Sequence, residues 1–168
     1  MSDFRVVLPR AVLAEMSREA QRRAPDESGG VLMGYTDRAD QNLIRVTAQI
    51  GPGPHATHRR HRFEPDADWQ CDEVARCYEQ SGRIATYLGD WHSHPGGSAR
   101  PSRLDRKTAR SIARSPEARL PHPLMVILAG SEDWAPQAYR YRLWRLRGGE
   151  LQLLQATRQE GRFYRGFS

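Results

Sequence analysis

The chain has 168 residues, of which 38% are hydrophobic and 27% charged, a balance typical of globular proteins and not of disordered ones. Its net charge of +6 comes from arginine-rich stretches at residues 95–120 and 138–168, each with seven basic and two acidic side chains. Such stretches attract polyanions, but they lack the interleaved aromatic residues of nucleic-acid-binding motifs. We therefore expect solvated basic surfaces and no nucleic-acid partner, with an acidic protein partner as an open alternative.

Neither a membrane span nor an export signal is expected. No apolar run approaches the ~20 residues that a membrane span requires, and charged residues interrupt the N-terminal segment where a signal peptide would be apolar. The two cysteines, Cys71 and Cys77, fit no thiolate zinc spacing and are expected to be reduced and buried. These features predict a cytoplasmic protein with no membrane partner.

Periodicity and turn residues predict the elements of the first half of the chain. In order, these are a strand at 4–8, a helix at 9–23, strands at 27–35 and 42–50, and a helix at 66–80. Pro25 ends the first helix, and Asp66 is suited to cap the second. The apolar face of the second helix is predicted to comprise Ala67, Cys71, Val74 and Tyr78.

The second half is predicted to alternate between strands and one helix. The elements are a strand at 83–92, a helix at 102–114, and strands at 123–129, 137–146 and 150–156. Leu104, Thr108 and Ile112 lie one turn apart and predict the inward stripe of that helix. The hydrophobic alternation changes phase at Trp144, which predicts a bulge, and Gly148–Gly149 predicts a hairpin turn.

These elements predict an α+β (mixed α/β) fold with a mostly antiparallel sheet and three helices. No repeat or internal boundary is present, so one domain is expected over residues 1–168. Its C-terminal part, residues 137–168, is predicted to hold strands and a loose tail.

One stretch, residues 89–105, combines His92-x-His94, a Pro/Gly-rich loop and Ser102-x-x-Asp105. Residues i and i+2 of a strand project from the same face, so both imidazoles can reach one ion. Asp105, in the first turn of a helix, would return toward them, leaving a fourth tetrahedral position for water. The alternative is a polar turn followed by an ordinary helix cap, because Ser and Asp also suit a helix N-terminus.

The full pattern resembles the JAMM motif of JAB/MPN-domain metallopeptidases. That motif also needs an upstream Glu-x-x-Gly-x-Leu-x-Gly, which residues 27–34 (ESGGVLMG) match. The resemblance covers a core of about residues 4–130 and implies a cytidine deaminase-like three-layer domain. It also implies one Zn²⁺ per chain, held by His92, His94 and Asp105. It also implies Glu27 as the general base that assists attack by zinc-bound water, and Ser102 as the oxyanion donor.

The resemblance implies hydrolysis of the amide or isopeptide bond after the C-terminal residue of a ubiquitin-like tail. Residues 57–69, with the Gly89–Trp91 and Ala99–Ser102 segments, look like a bacterial subgroup often labelled integrative and conjugative element protein. That subgroup includes the deconjugating peptidase of CBASS anti-phage operons, encoded beside a cGAS-like nucleotidyltransferase and an E1/E2-like enzyme. The implied substrate is the tail of that nucleotidyltransferase joined to a target amine.

Three alternatives to this function stay open at this point. One is a JAB-like docking module with a structural metal, although such an ion would need neither Glu27 nor Ser102. Another is a ubiquitin-like or sulfur-carrier processing peptidase outside anti-phage defence. A third is a nucleic-acid enzyme that binds through the arginine-rich stretches.

A second metal site at His55, His58 and His61 is disfavoured. These residues would not share a face, and no cysteine or carboxylate lies at ligand spacing nearby. Lining of the substrate groove is the alternative role for them.

Overall fold

The computed structural model describes residues 4–144 and 148–159, and its elements follow the predicted order. The three helices of this part are α1 (Arg10–Arg23), α2 (Ala67–Gln80) and α3 (Arg103–Arg114). The first six strands are β1 (Arg5–Pro9), β2 (Gly29–Thr36), β3 (Leu43–Ile50), β4 (Thr57–Arg59), β5 (Arg62–Glu64) and β6 (Thr86–Pro95). The last four strands are β7 (Leu124–Gly130), β8 (Ala135–Trp144), β9 (Gly148–Leu153) and β10 (Gln155–Gln159).

Eight strands form one sheet in the order β10-β1-β3-β2-β6-β7-β8-β9, while β4 and β5 form a separate hairpin. Four of its seven strand pairs are antiparallel and three are parallel. Residues 148–159 pair with both edges of the sheet, through β9 with β8 and through β10 with β1. The sheet is therefore strongly curled. The predicted α+β class, the mostly antiparallel sheet and the three helices are confirmed.

The helices lie on both faces of the sheet and make three layers. Alternation along the strands assigns each side chain to a face. Leu32 and Val126 pack in the cluster that contains Val12 and Met16 of α1. Their strand neighbours turn to the opposite face, where Met33 packs near α2 and Ile127 packs with Ala109 of α3. Both faces of the central strands are buried, which explains their nearly continuous apolar sequences.

The glycines of the Glu-x-x-Gly-x-Leu-x-Gly pattern have a packing reason. A Cβ at Gly30 would lie 1.9 Å from the carbonyl oxygen of Ile50, and one at Gly34 would lie 2.0 Å from that of Arg45. Strand β3 therefore approaches β2 too closely for any side chain at either position. The β2–β3 register also shifts between Met33 and Gly34, a bulge that the sequence did not predict.

The predicted inward faces of α2 and α3 are wrong in part, although Val74 packs inward as predicted. In α2, Trp69, Val74 and Cys77 pack against the sheet, whereas Ala67 and Cys71 are exposed and Tyr78 is half-buried. The buried Gln70 sets this rotation by donating to the Gly51 carbonyl oxygen (2.8 Å). The prediction that both cysteines are buried is likewise wrong, because Cys71 is exposed and Cys77 is half-buried; both are free thiols, as predicted.

In α3, Asp105 and Ala109 face inward, while Leu104 is 46% exposed and Thr108 is exposed as well. The inward face of α3 was predicted from hydrophobic residues alone. That prediction gave the wrong orientation of the helix because a carboxylate, that of Asp105, occupies the inward face.

The C-terminal strands differ from prediction in three ways. The β8–β9 pairing runs without a register shift to Trp144 opposite Gly148, so the described residues contain no bulge at Trp144. Gly148 and Gly149 are paired strand residues and not the turn. Strand β10, parallel to β1, was not predicted, and the rest of the tail, 160–168, lies outside the described residues.

Within the described ranges, no helix has both the length and the apolar character that crossing a bilayer would require.

Candidate metal centre

Strand β6 places the two histidines of the motif side by side. His92 and His94 alternate with Trp91 and Ser93, so both imidazoles project toward the α3 face of the sheet. Their Nε2 atoms are 3.1 Å apart. Nδ1 of His94 is 2.8 Å from the Ser98 carbonyl oxygen, which can only accept, so this nitrogen carries the proton. The lone pair of His94 Nε2 is thereby directed toward His92.

Helix α3 brings Asp105 to the two histidines through the same contacts that cap it. The Ser102 N–H donates to Asp105 Oδ2 (2.6 Å), and the Asp105 N–H donates to Ser102 Oγ (3.1 Å), a complete capping box. The carboxylate oxygens then lie 3.1 Å from His92 Nε2 and 3.4 Å from His94 Nε2. The helix cap and the ligand cluster are therefore one arrangement and not alternatives.

The donor set fits a small divalent cation. Ligand bonds of about 2.0–2.2 Å around a tetrahedral ion separate neighbouring donor atoms by about 3.3 Å. The Nε2 atoms of His92 and His94 are 3.1 Å apart, His92 Nε2 lies 3.1 Å from Asp105 Oδ1, and His94 Nε2 lies 3.4 Å from Asp105 Oδ2. With one donor atom taken from each residue, all three donors lie within 4.8 Å of one another. Burial alone would raise the pKa of the Asp105 carboxyl, but hydrogen bonds with His92 and His94 hold it well below its usual range. Two imidazole nitrogens and an ionised carboxylate thus face one point, as a metal requires.

Glu27 lies two residues before the start of β2, at the mouth of this cluster. Its N–H donates to the Arg59 carbonyl oxygen (2.8 Å), and its own carbonyl oxygen lies 2.9 Å from Nδ1 of His58. The β4–β5 hairpin therefore fixes the Glu27 backbone on both sides. Burial raises the pKa of the Glu27 carboxyl, and the nearby charges of His94 and His92 oppose that shift only in part.

A buried network on the opposite face of β6 connects the histidines to Glu27. Ser93 Oγ accepts the Ser28 N–H (3.0 Å), and the Ser93 N–H donates to the Ser28 carbonyl oxygen (2.8 Å). Ser28 Oγ donates in turn to the buried Glu19 of α1 (2.9 Å), whose carboxylate also pairs with Arg22 and Arg23. The residue between the two histidines is thus bonded to the residue after Glu27. This network sets the strand register that brings all three together.

Two cavities meet at the cluster, and Glu27, Leu104 and Asp105 line both of them. The larger of these two cavities, called the wide arm below, has a volume of about 510 Å³. Its other lining residues are Arg60, His61, His94, residues 95–98, Arg100 and Ser102. The smaller cavity, called the narrow arm, has a volume of about 240 Å³ and lies between the β5 side of the hairpin and α3. Its other lining residues are residues 62–65, residues 90–92, Thr108 and Met125. A chain passing through both arms would cross the cluster.

A family model described as prokaryotic homologs of the JAB domain matches residues 9–147. The chain belongs to the prokaryotic JAB family. It is 43% identical over 134 residues to the probable metalloprotease y4qB of Sinorhizobium fredii, covering 79% of this chain and 80% of that protein. The predicted family is confirmed, and the prediction of a hydrolase agrees with that relative's name.

Further relatives of this JAB protein have more specific names. It is 28% identical over 129 residues to the CD-NTase/cGAS isopeptidase of Vibrio cholerae, covering 77% of this chain and 78% of that one. The isopeptidase of that name from Enterobacter hormaechei is 27% identical over 127 residues, covering 76% and 68% of the two chains. The solution structure of DSY2949 from Desulfitobacterium hafniense has a TM-score of 0.65 at 20% identity, covering 92% and 94%, and confirms the fold.

The three histidines of residues 55–61 lie apart in this JAB protein, as expected. His55 pairs with Asp66 (2.9 Å), whereas His58 is directed to the Glu27 carbonyl oxygen and His61 is exposed in the wide arm. The segment that carries His58 and His61 forms the β4–β5 hairpin, which the sequence did not predict. Phe63 of this hairpin packs where a side chain at Gly29 would lie, so it anchors the hairpin against β2.

The supporting residues Ser28, Ser93 and Glu19 were missed by sequence reasoning. Ser93 lies between His92 and His94, and strand alternation turns it to the opposite, buried face. That signal was available in the sequence, because a serine at a buried position needs a partner. Glu19 carried no comparable signal, since its helix was predicted only from its apolar stripe.

Replacing Ser93 by Ala is expected to destabilise the protein by about 1–3 kcal/mol, because the buried Ser28 N–H loses its acceptor. Chemical denaturation measures the change. Ser111→Ala removes a hydroxyl from an exposed position of α3 and serves as the control. Equal midpoints for the two variants would show that the Ser93–Ser28 contact contributes nothing.

Proposed function

We propose that this chain is a zinc-dependent isopeptidase that acts on protein tails. The arrangement of His92, His94 and Asp105 beside Glu27, at the junction of two cavities, carries this proposal. The His₂Asp donor set suits zinc in a catalytic site, where three protein ligands leave one position open. The bond hydrolysed would be the amide or isopeptide bond after the C-terminal residue of the tail.

Each residue of the site has a distinct part in the proposed reaction. When bound, the metal acts as a Lewis acid that makes hydroxide available near neutral pH. Glu27 accepts the proton of the attacking water on its carboxylate and returns it to the leaving amine. Its raised pKa brings it closer to the range in which a carboxylate both takes and gives a proton.

Ser102 is proposed to donate a hydrogen bond to the oxyanion that develops on the scissile carbonyl. Its Oγ already accepts the Asp105 N–H, which leaves the hydroxyl proton available to the wide arm. Because the helix cap fixes Oγ before substrate arrives, the donor is preorganised. His92, His94 and Asp105 hold the metal, and the hydrogen bond from His94 Nδ1 to Ser98 keeps that imidazole in place.

The substrate class comes from the relatives named CD-NTase/cGAS isopeptidase. We propose that this chain likewise releases a cGAS-like nucleotidyltransferase from a target amine in bacterial anti-phage (CBASS) defence, with an E1/E2-like enzyme as the conjugating counterpart. A ubiquitin-like or sulfur-carrier tail outside such defence is the second candidate. It is kept because the Sinorhizobium fredii relative, at 43% identity, is named only a probable metalloprotease, with no nucleotidyltransferase in its name.

A docking module with a structural metal explains less of the site. A structural ion is usually held by four protein ligands, whereas three potential ligands converge here among the described residues. Nor does a structural ion require a carboxylate fixed at the mouth of the cluster.

The proposal is tested by giving the purified chain two substrates in parallel, a nucleotidyltransferase tail and a ubiquitin-like tail, each amide-linked to a reporter. We expect cleavage of the nucleotidyltransferase tail, its loss with a chelator and its return with added zinc. Preferred cleavage of the ubiquitin-like tail would favour the second candidate. Cleavage that persists without metal would reject the proposed chemistry.

A further inference from the structure

The wide arm carries basic side chains on both of its walls. Arg60 and His61 lie at the turn of the β4–β5 hairpin, and Arg100 lies across the cavity in the loop before α3. All three side chains are exposed. The acidic residues among the lining are Glu27 and Asp105, which are the reaction's own groups.

The two arginines have no acidic partner among residues 4–144 and 148–159. The narrow arm differs, because its Arg62 pairs with Glu64 (2.8 Å). Arg103, Arg106 and Lys107 extend the basic surface along the first turns of α3. A cleft lined by one sign of charge raises the local concentration of the opposite charge.

Both arginines lie on backbone that the site itself holds in place. The loop of Arg100 is fixed by His94 Nδ1, directed to the Ser98 carbonyl oxygen, and by the Tyr139 hydroxyl, which donates to the Ala99 carbonyl oxygen (2.7 Å). Arg60 follows Arg59, whose carbonyl oxygen accepts the Glu27 N–H. The positions of the two charges are therefore tied to the position of the reaction.

We infer that the substrate segment in the wide arm is acidic, with carboxylates close to the scissile bond that pair with Arg60 and Arg100. This inference rests on the proposed peptidase function and names the substrate chemistry of the same site. A polypeptide is favoured over nucleic acid because the wall has no Phe, Tyr or Trp ring for base stacking and presents the exposed apolar side chain of Leu104 beside the charges. In the narrow arm Arg62 is paired with Glu64, so acidic substrate residues are not expected on that side of the scissile bond.

The test uses three series of tail reporters that differ only in the residues flanking the scissile bond, which are Glu, Gln or Lys. We expect kcat/KM for the Glu series to exceed that for the Gln series by about tenfold at low salt, and the Lys series to be slowest. Rising salt should shrink the difference, because these contacts are open to solvent. The double variant Arg60→Glu/Arg100→Glu should reverse the order of the Glu and Lys series.

The matched control is Arg114→Glu, an equal charge change per residue at the far end of α3, which should keep the preference of the wild type. Binding of the same peptides to metal-loaded Glu27→Gln protein, followed by fluorescence anisotropy, measures the preference without turnover. Cleavage of the Gln series tests the peptidase separately from its charge preference. Equal rates and equal affinities for Glu and Gln peptides would overturn the inference. The inference would also be overturned if the protein bound single-stranded DNA, lost that binding in the double variant, and showed no preference for Glu peptides over Gln peptides.

Discussion

Replacing Glu27 by Gln is expected to lower kcat by about 10²–10⁴-fold while KM and metal content stay close to those of the wild type. The amide has nearly the shape of the carboxylate but cannot accept a proton from water. The two hydrogen bonds that fix residue 27 to the β4–β5 hairpin use backbone atoms, so they survive the substitution. Steady-state kinetics with metal-loaded protein measures the effect.

Glu64→Gln is the control for this variant, because it makes the same chemical change in the narrow arm. Its carboxylate forms an exposed pair with Arg62, and such pairs contribute little. The proposed role of Glu27 would be contradicted if Glu27→Gln retained more than about a tenth of the wild-type kcat, a loss below the usual contribution of a general base.

Replacing His94 by Ala is expected to remove both the metal and the activity. Two ligands would remain of the three that converge, and the Ser98 carbonyl oxygen would lose its partner. Metal analysis after dialysis should fall from one ion per chain to well below one, and cleavage should fall to the level of the chelated wild type. Added zinc should not restore the variant at concentrations that restore chelated wild-type protein.

His55→Ala is the matched control, because that histidine is exposed and pairs with Asp66 away from the cluster. It should keep one metal ion per chain. Full metal content in His94→Ala would contradict the ligand assignment and direct attention to other donors.

Most of the fold could be predicted from local sequence patterns. The predictions that were wrong concern features that tertiary contacts determine. Turn residues and apolar periodicity located the three helices and most of the strands. The rotation of α3 was wrong because the inward position is held by Asp105, a carboxylate that hydrophobicity assigns to the surface. Strand β10 was missed because its residues are exposed and polar, and it forms by pairing with the distant β1.

More of the candidate site than of the fold could be predicted, because its residues form a short motif with defined spacing. The spacing of His92, His94 and Asp105 placed three donors that the structure brings together. The elements that hold them could not be predicted. The hairpin contacts only the backbone of Glu27, through the Arg59 carbonyl oxygen and the His58 imidazole, and Glu19 reaches Ser28 only after α1 packs on the sheet. Neither contact leaves a residue-type signature.

The most direct test of whether this chain is a metal-dependent isopeptidase is one cleavage assay with metal content measured in every sample. Wild type, chelated wild type and Glu27→Gln would be given the same amide-linked nucleotidyltransferase tail. We expect cleavage by the wild type alone, with one metal ion per chain in both the wild type and Glu27→Gln. Wild-type protein that holds one metal ion per chain and cleaves neither this tail nor a ubiquitin-like one would contradict the proposed function and favour a docking module.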